Sequence, residues 1–185
     1  TVYGNAGAGI TTAGISAGGG TGPVPSYRST SFTYDGTSWT GAPAMPFSFS
    51  LGGACGTQTA TLAGGGDGNP PGLTGIFNGA SWTATPTLGK NGYQGQLAGS
   101  TTAAVMAGLY YDSSAQEWNG SAWADPGAAM PTHVYASSAY GTATAGAWIG
   151  GNTVSGGTKT SLFQKYNGTS WSTGTAMPGT GVPNS

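Results

Sequence analysis

The amino-acid sequence predicts an all-β protein built from four copies of one short-stranded unit, and three observations predict it. A turn motif recurs as Asp35-Gly36-Thr37-Ser38-Trp39, Asn78-Gly79-Ala80-Ser81-Trp82, Asn119-Gly120-Ser121-Ala122-Trp123 and Asn167-Gly168-Thr169-Ser170-Trp171, with its tryptophans 43, 41 and 48 residues apart. A period of this size marks a repeat array. Ahead of each turn lies a run of small residues that ends in glycine, and no segment sustains a 3.6-residue apolar period, so no helix is predicted.

Each unit reads as four strands. The first is a small-residue strand, residues 48–53 in the second unit, marked in the four copies by Asn5-Ala6-Gly7, Gly52-Gly53-Ala54, Leu97-Ala98-Gly99 and Ala139-Tyr140-Gly141. The second is the apolar run into glycine, such as residues 59–64. Its copies include Gly14-Ile15-Ser16-Ala17-Gly18-Gly19, Val105-Met106-Ala107-Gly108 and Trp148-Ile149-Gly150-Gly151. The third, such as residues 73–77 or 162–166, leads into the Asn-Gly or Asp-Gly dipeptide. This is a strong hairpin signal, because both residues can take positive φ. The fourth starts at the tryptophan and stops at a proline, which cannot donate to a ladder. Six residues after three of the tryptophans come Met45, Leu88 and Met177, and Met130 follows the third by seven.

Four short strands per repeat, stacked radially, describe the blade of a β-propeller. The order of landmarks (glycine doublet, aromatic, acidic or Asn turn, tryptophan) resembles the kelch-type repeat. Tyr34-Asp35-Gly36-Thr37-Ser38-Trp39 and Tyr166-Asn167-Gly168-Thr169-Ser170-Trp171 are its best copies. Phe77 and Trp118 replace the tyrosine in the second and third copies, and Gly108-Leu109 replaces the doublet in the third. The resemblance implies one propeller domain over 1–185, with blades at about 1–46, 47–88, 89–131 and 132–178 and a tail at 179–185. Two arrangements stay open: four blades that close a ring, or an arc completed by further repeats or by another chain. The chain begins at Thr1 with no initiator methionine, which agrees with a segment of a longer polypeptide.

Charged residues make up 5 % of the chain, against about 25 % in ordinary domains, and 37 of the 185 residues are glycine. The recurrent aromatics argue against disorder. A surface of Ser, Thr, Asn and Gly points to an extracellular or virion setting. Arg28, Lys90, Lys159 and Lys165 are scattered, so the basic stripe that phosphate neutralisation requires is absent. No nucleic acid is expected as partner, and no apolar run approaches the length of a bilayer span.

Catalytic and metal chemistry is poorly supplied, and no cofactor is expected. The copper site of kelch-type oxidases needs two histidines and a Tyr–Cys cross-link, whereas His133 and Cys55 stand alone here. A sialidase-like propeller needs three arginines. Paired-carboxylate hydrolysis needs two acids facing one cleft. Asp35 and Asp125 are accounted for by turns, while Asp112 and Glu117 read as a solvated loop pair. His133 reads as a loop residue, and Cys55 as a small buried hydrophobe. The run Gly64-Gly65-Gly66-Asp67-Gly68-Asn69 reads as a loop, since one glycine-aspartate copy lacks the periodicity of a calcium repeat. Asn119 and Asn167 fit the glycosylation acceptor pattern, but both already serve as turn residues.

The turn tryptophans recur in every unit, as packing between blades requires. The aromatics that do not repeat are the better contact candidates: Tyr27, Tyr93, Tyr110, Tyr111 and Tyr135. Such rings among Asn, Gln and Ser suit sugar stacking or protein contact. The expectation is a non-enzymatic structural or adhesive module of a phage appendage or cell-surface protein. Its partners would be other subunits, in a homo-oligomer or virion assembly, or cell-surface glycans. The alternative is the propeller portion of a larger enzyme whose catalytic groups lie outside this chain.

Overall fold

The computed structural model describes residues 2–22, 26–68, 70–90, 92–154 and 157–179, and every regular element in them is a β-strand. The strands are β1 (Tyr3–Ile10), β2 (Ala13–Gly20), β3 (Ser31–Tyr34), β4 (Trp39–Ala42), β5 (Phe49–Ser50), β6 (Gly53–Thr57), β7 (Ala60–Gly64), β8 (Asp67–Gly68), β9 (Thr74–Phe77) and β10 (Trp82–Ala84). They continue with β11 (Gln96–Gly99), β12 (Ala104–Ala107), β13 (Gln116–Trp118), β14 (Trp123–Ala124), β15 (Val134–Tyr135), β16 (Ser138–Thr142), β17 (Ala145–Ile149), β18 (Asn152–Thr153), β19 (Phe163–Tyr166) and β20 (Trp171–Thr173). Each of the four repeats forms one antiparallel four-stranded meander, β1-β2-β3-β4, β6-β7-β9-β10, β11-β12-β13-β14 and β16-β17-β19-β20. Two small ladders, β5 with β8 and β15 with β18, lie in the connections. The chain is therefore all-β, in six small antiparallel sheets.

Two local expectations need correction. The strand expected over residues 48–53 is split, because Leu51 takes positive φ (57°) and turns the chain. Phe49 and Ser50 pair with Gly68 and Asp67, and the first strand of the sheet begins only at Gly53. Part of the glycine loop thus becomes β8, while Asn69 lies outside the described residues.

The repeated turns also close differently. Of each Asx-Gly pair only the glycine has positive φ, at 94°, 93°, 94° and 91° for Gly36, Gly79, Gly120 and Gly168. The Asp or Asn side chain does the rest. Asp35 Oδ1 accepts the N–H groups of Thr37 and Ser38, both at 2.8 Å, and Asn78, Asn119 and Asn167 repeat the arrangement. This is Asx closure of a tight loop, and each loop is flanked by a directly opposed aromatic pair. Tyr34–Trp39, Phe77–Trp82, Trp118–Trp123 and Tyr166–Trp171 stand 5.2, 5.2, 5.4 and 5.0 Å apart between ring centroids.

The core is divided into three, one cluster per gap between consecutive sheets. The first gathers Ile15 and Ala17 of unit 1, Met45 and Phe49 of the connection, and Ala63, Phe77 and Trp82 of unit 2. The second joins Leu62 and Leu88 to Met106, Leu109 and Trp118. The third joins Val105, Ala115 and Met130 to Val134, Trp148 and Tyr166. Two of the four turn tryptophans bond back to the preceding sheet: Trp82 Nε1 donates to Ser31 Oγ at 3.1 Å, and Trp123 Nε1 to Thr74 Oγ1 at 3.0 Å.

The two terminal sheets break this pattern. Trp82 is 8 % exposed and Trp39 is 55 % exposed. Met45, Leu88 and Met130 are 4 %, 5 % and 4 % exposed, whereas Met177 is 44 %. The packing role expected of the turn tryptophans therefore fails at Trp39, which no sheet among the described residues covers.

First strands pack in sequence, β1 on β6, β6 on β11 and β11 on β16. Their entry residues Gly4, Leu51, Gln94 and Ala136 all have positive φ, at 62°, 57°, 67° and 52°. A backbone chain links them: Leu51 N donates to Gly4 O at 2.7 Å, Gln94 N to Leu51 O at 2.6 Å, and Ala136 N to Gln94 O at 3.3 Å. Among the described residues no bond joins Gly4 N to Ala136 O. A cavity of about 200 Å³ lies beside these residues, and another of about 330 Å³ is lined by Ala8, Cys55, Ala98 and Tyr140, one from each first strand.

Candidate functional site

Four of the five candidate tyrosines meet in one cluster, and all four come from connections between sheets or strands. Tyr93 and Tyr110 are stacked, with centroids 4.9 Å apart and planes at 10°. Tyr111 stands edge-on to both, at 5.6 Å from Tyr93 and 4.9 Å from Tyr110, and Tyr135 packs edgewise on Tyr110 at 4.6 Å. Offset-stacked and edge-to-face arrangements suit the aromatic quadrupole. Tyr111 is 69 % exposed and tops the cluster, while the other three are half-buried.

The scaffold beneath is tied by hydrogen bonds and ion pairs. Tyr110 and Tyr111 form the tip of a tight turn whose ends, Leu109 and Asp112, make an isolated bridge. Leu109 is fully buried, and His133 Nε2 lies 2.8 Å from its carbonyl oxygen, so that nitrogen carries the proton as donor. His133 is thus the hydrogen-bonded loop residue the sequence suggested. Asp112 Oδ1 accepts the Ser114 N–H at 2.8 Å, and Oδ2 is 3.5 Å from Lys90 Nζ, which also lies 3.3 Å from Asp125. Burial works against the charge on Asp112, but the bonds from Ser114 and the Lys90 ammonium outweigh it and hold the carboxyl below its usual range. Tyr110 N donates to Tyr93 O at 3.0 Å, and Tyr135 pairs with Asn152 across the β15–β18 ladder.

Tyr27 is outside the ring cluster and is hydrogen-bonded to Asp67. The Tyr27 hydroxyl is held above its usual range by burial, then by its hydrogen bond to Asp67. The Tyr93 hydroxyl is pushed up to about 12, by burial first, then by a hydrogen bond with Tyr111, and in smaller part by the charge of Asp67. Tyr3, which sequence reasoning did not single out, lies near Tyr27 with its hydroxyl buried and without a hydrogen-bond partner. Its signal was hidden because it falls inside a first strand.

Asp112 and Asp125 meet at Lys90, and both are engaged by it. Glu117 lies on β13, where its Oε1 accepts the Tyr166 hydroxyl of the next sheet at 2.7 Å. This corrects the reading of Asp112 and Glu117 as a solvated loop pair, since each is committed to a different partner. Asp35 caps its turn, and Asp125 Oδ1 accepts the Gly127 N–H at 2.8 Å. Cys55 is buried, and burial pushes its thiol up to about 12. Among the described residues no group of three or more His, Cys, Asp or Glu is placed to hold a metal ion. The chain matches no protein-family model and no curated protein.

Proposed function

We propose that this chain is a kelch-like β-propeller module, its four sheets acting as blades, and that it works as a non-enzymatic binding and structural component on the outside of a virion or cell. The ligand class is carbohydrate displayed on a surface. One observation carries the reading: Tyr93, Tyr110, Tyr111 and Tyr135, from three separate connections, converge on one stacked cluster with an exposed ring at its top. Sugar rings present apolar C–H faces that stack on such aromatics, and neighbouring polar groups orient their hydroxyls. Asn152, Asp112 and Lys90 supply donors and acceptors close to the cluster. The blade reading is supported by the four-stranded meanders, the sequential packing of first strands and the cavities they line. The sparse charge of the chain agrees with a module that contacts neutral glycans rather than a charged polymer.

The test is a glycan array followed by titration of the best hits, with Tyr110→Ala and Tyr111→Ala beside the parent chain. Binding without turnover that weakens about 10-fold or more in Tyr111→Ala is expected, the scale of an aromatic contact worth more than 1 kcal/mol. Binding indifferent to both substitutions, or hydrolysis of the bound glycan, would overturn the reading.

A further inference from the structure

We propose that Asn78, Asn119 and Asn167 are modification sites, at which the folded protein spontaneously exchanges a side-chain amide for a carboxylate. The closure of the repeated loop both promotes the exchange and accepts its product. The proposal rests on neither the blade reading nor the tyrosine site.

The chemistry is that of an asparagine followed by a glycine. The glycine nitrogen attacks the asparagine Cγ, a new N–Cγ bond forms, the Cγ–Nδ2 bond breaks, and ammonia leaves with the proton the nitrogen gave up. Solvent water then opens the cyclic imide. Cleavage of the new bond gives aspartate; cleavage of the original peptide bond gives isoaspartate, whose main chain runs through Cβ. Amide and water become carboxylic acid and ammonia, and no electrons are exchanged.

The loops favour the first step. All three asparagines are exposed to water, and glycine has no side chain to hinder attack. In unit 2, Asn78 N donates to Ser81 O, and the N–H groups of Ala80 and Ser81 donate to Asn78 Oδ1. The Gly79 N–H has no acceptor among the described residues, and Gly120 and Gly168 repeat this. The attacking nitrogen is therefore the one loop nitrogen left uncommitted. The same bonds fold the carboxamide back over the Asn-Gly peptide and aim donors at Oδ1, where negative charge gathers as the nitrogen adds. Donors set in advance around a developing oxyanion lower the barrier. Asn119 is best supplied, because the Ser121 hydroxyl donates to its Oδ1 at 2.9 Å beside the N–H groups of Ser121 and Ala122. At Asn167 the matching bond from Ser170 Oγ is longer, at 3.4 Å, and Asn78 receives N–H donors only.

Unit 1 already carries the product. Asp35 stands where the other units have asparagine, and its Oδ1 accepts the same two N–H groups, with φ of 94° at Gly36 against 93°, 94° and 91° in the other copies. The Ser38 N–H, then the Thr37 N–H, hold the Asp35 carboxyl below its usual range, so the loop prefers a carboxylate. Conversion to aspartate thus keeps the closure and adds one negative charge to a chain of net charge −1. Isoaspartate lengthens the main chain within the loop and breaks the closure. A further Asn-Gly pair, Asn91-Gly92, is not part of the repeat, and Asn91 lies outside the described residues.

The experiment is peptide mapping by mass spectrometry on the full chain held at mildly alkaline pH, folded and in urea. The parent, Ser121→Ala and Asn119→Asp are compared. In the folded parent all three loop asparagines should convert at least as fast as in urea, Asn119 first. Asn5 and Asn152, followed by Ala and Thr, should keep their amides. Ser121→Ala should slow Asn119 about 3-fold or more relative to Asn78 and Asn167 in the same molecule, the scale of one lost hydrogen bond. Asn119→Asp should leave the thermal midpoint unchanged. Conversion slower in the folded chain than in urea, an Asn119 rate indifferent to Ser121→Ala, or a destabilised Asn119→Asp chain would each overturn the proposal.

Discussion

Trp39 and Trp82 occupy the same place in consecutive repeats, follow the same kind of Asx-closed turn, and each pack at a tilt on the aromatic directly opposite, Tyr34 and Phe77, yet one is in water and the other in a core. Local sequence fixes the hairpin in both cases. The difference is the sheet behind the ring: Trp82 finds Ser31 and the apolar wall of unit 1, and Trp39 finds none among the described residues. Repetition therefore fixes geometry within a unit and leaves energetics to the gaps between units, as expected of arrays stabilised by nearest-neighbour interfaces.

Substitution of the two tryptophans should separate these contributions most sharply. Trp82→Ala is expected to cost about 3–5 kcal/mol, the range for a large buried ring, read from urea unfolding. Trp39→Ala should stay within about 0.5 kcal/mol, as surface changes do; similar losses would break the comparison. Met130→Ala and Met177→Ala should repeat the contrast at a smaller scale. The first is expected to cost about 2–3 kcal/mol, and the second should leave the thermal midpoint in place.

A third contrast lies in the hydrogen bonds behind the rings. Trp171 Nε1 is buried without an acceptor, and the position held by Ser31 in unit 1 and Thr74 in unit 2 is Ala115 in unit 3. Ala115→Ser should supply the acceptor and raise stability by about 1 kcal/mol, while Ser31→Ala should lower it by about 1–2 kcal/mol by orphaning Trp82. A destabilised Ala115→Ser would mean that the third gap has no room for the hydroxyl.

The smallest effect is pH-dependent and confined to the third gap. Burial, then the bond to Glu117, holds the Tyr166 hydroxyl well above its usual range. The folded state keeps that proton more tightly than the unfolded chain, so the contribution is fully present below about pH 10, the unfolded tyrosine value, and is lost as pH rises above it. Tyr166→Phe should flatten the stability decline measured between pH 10 and 11. An unchanged slope would assign the decline to other groups, such as Tyr93 or Cys55, whose values near 12 place them in the same window.

Much of the fold was legible. Four tryptophans open four last strands, and the small-residue runs fall in first and second strands, because turn chemistry and strand alternation act over a few residues. One further landmark was legible but missed. Gly9, Gly56, Gly99 and Gly141 each precede a Thr-Ala pair by three residues, and the threonines, Thr12, Thr59, Thr102 and Thr144, lie against the turn glycines. The left-handed entry residues were not legible, since Leu51, Gln94 and Ala136 share no side-chain chemistry and only the backbone bonds between units select their conformation. The tyrosines could be nominated because they do not repeat. That Tyr93, Tyr110, Tyr111 and Tyr135 touch, and that Tyr27 stays outside their cluster, depends on how the connections of neighbouring units fold over one another.

By itself the sequence determined an all-β chain of four hairpin-rich units and the places where their turns close, since those features depend on residues a few positions apart. Only the tertiary structure decided which copies of the same motif are buried, which carboxylates are already committed, and which tyrosines form one surface. Those outcomes depend on contacts some 40–50 residues away along the chain, set by the repeat period, and equivalent local sequences acquire different neighbours there.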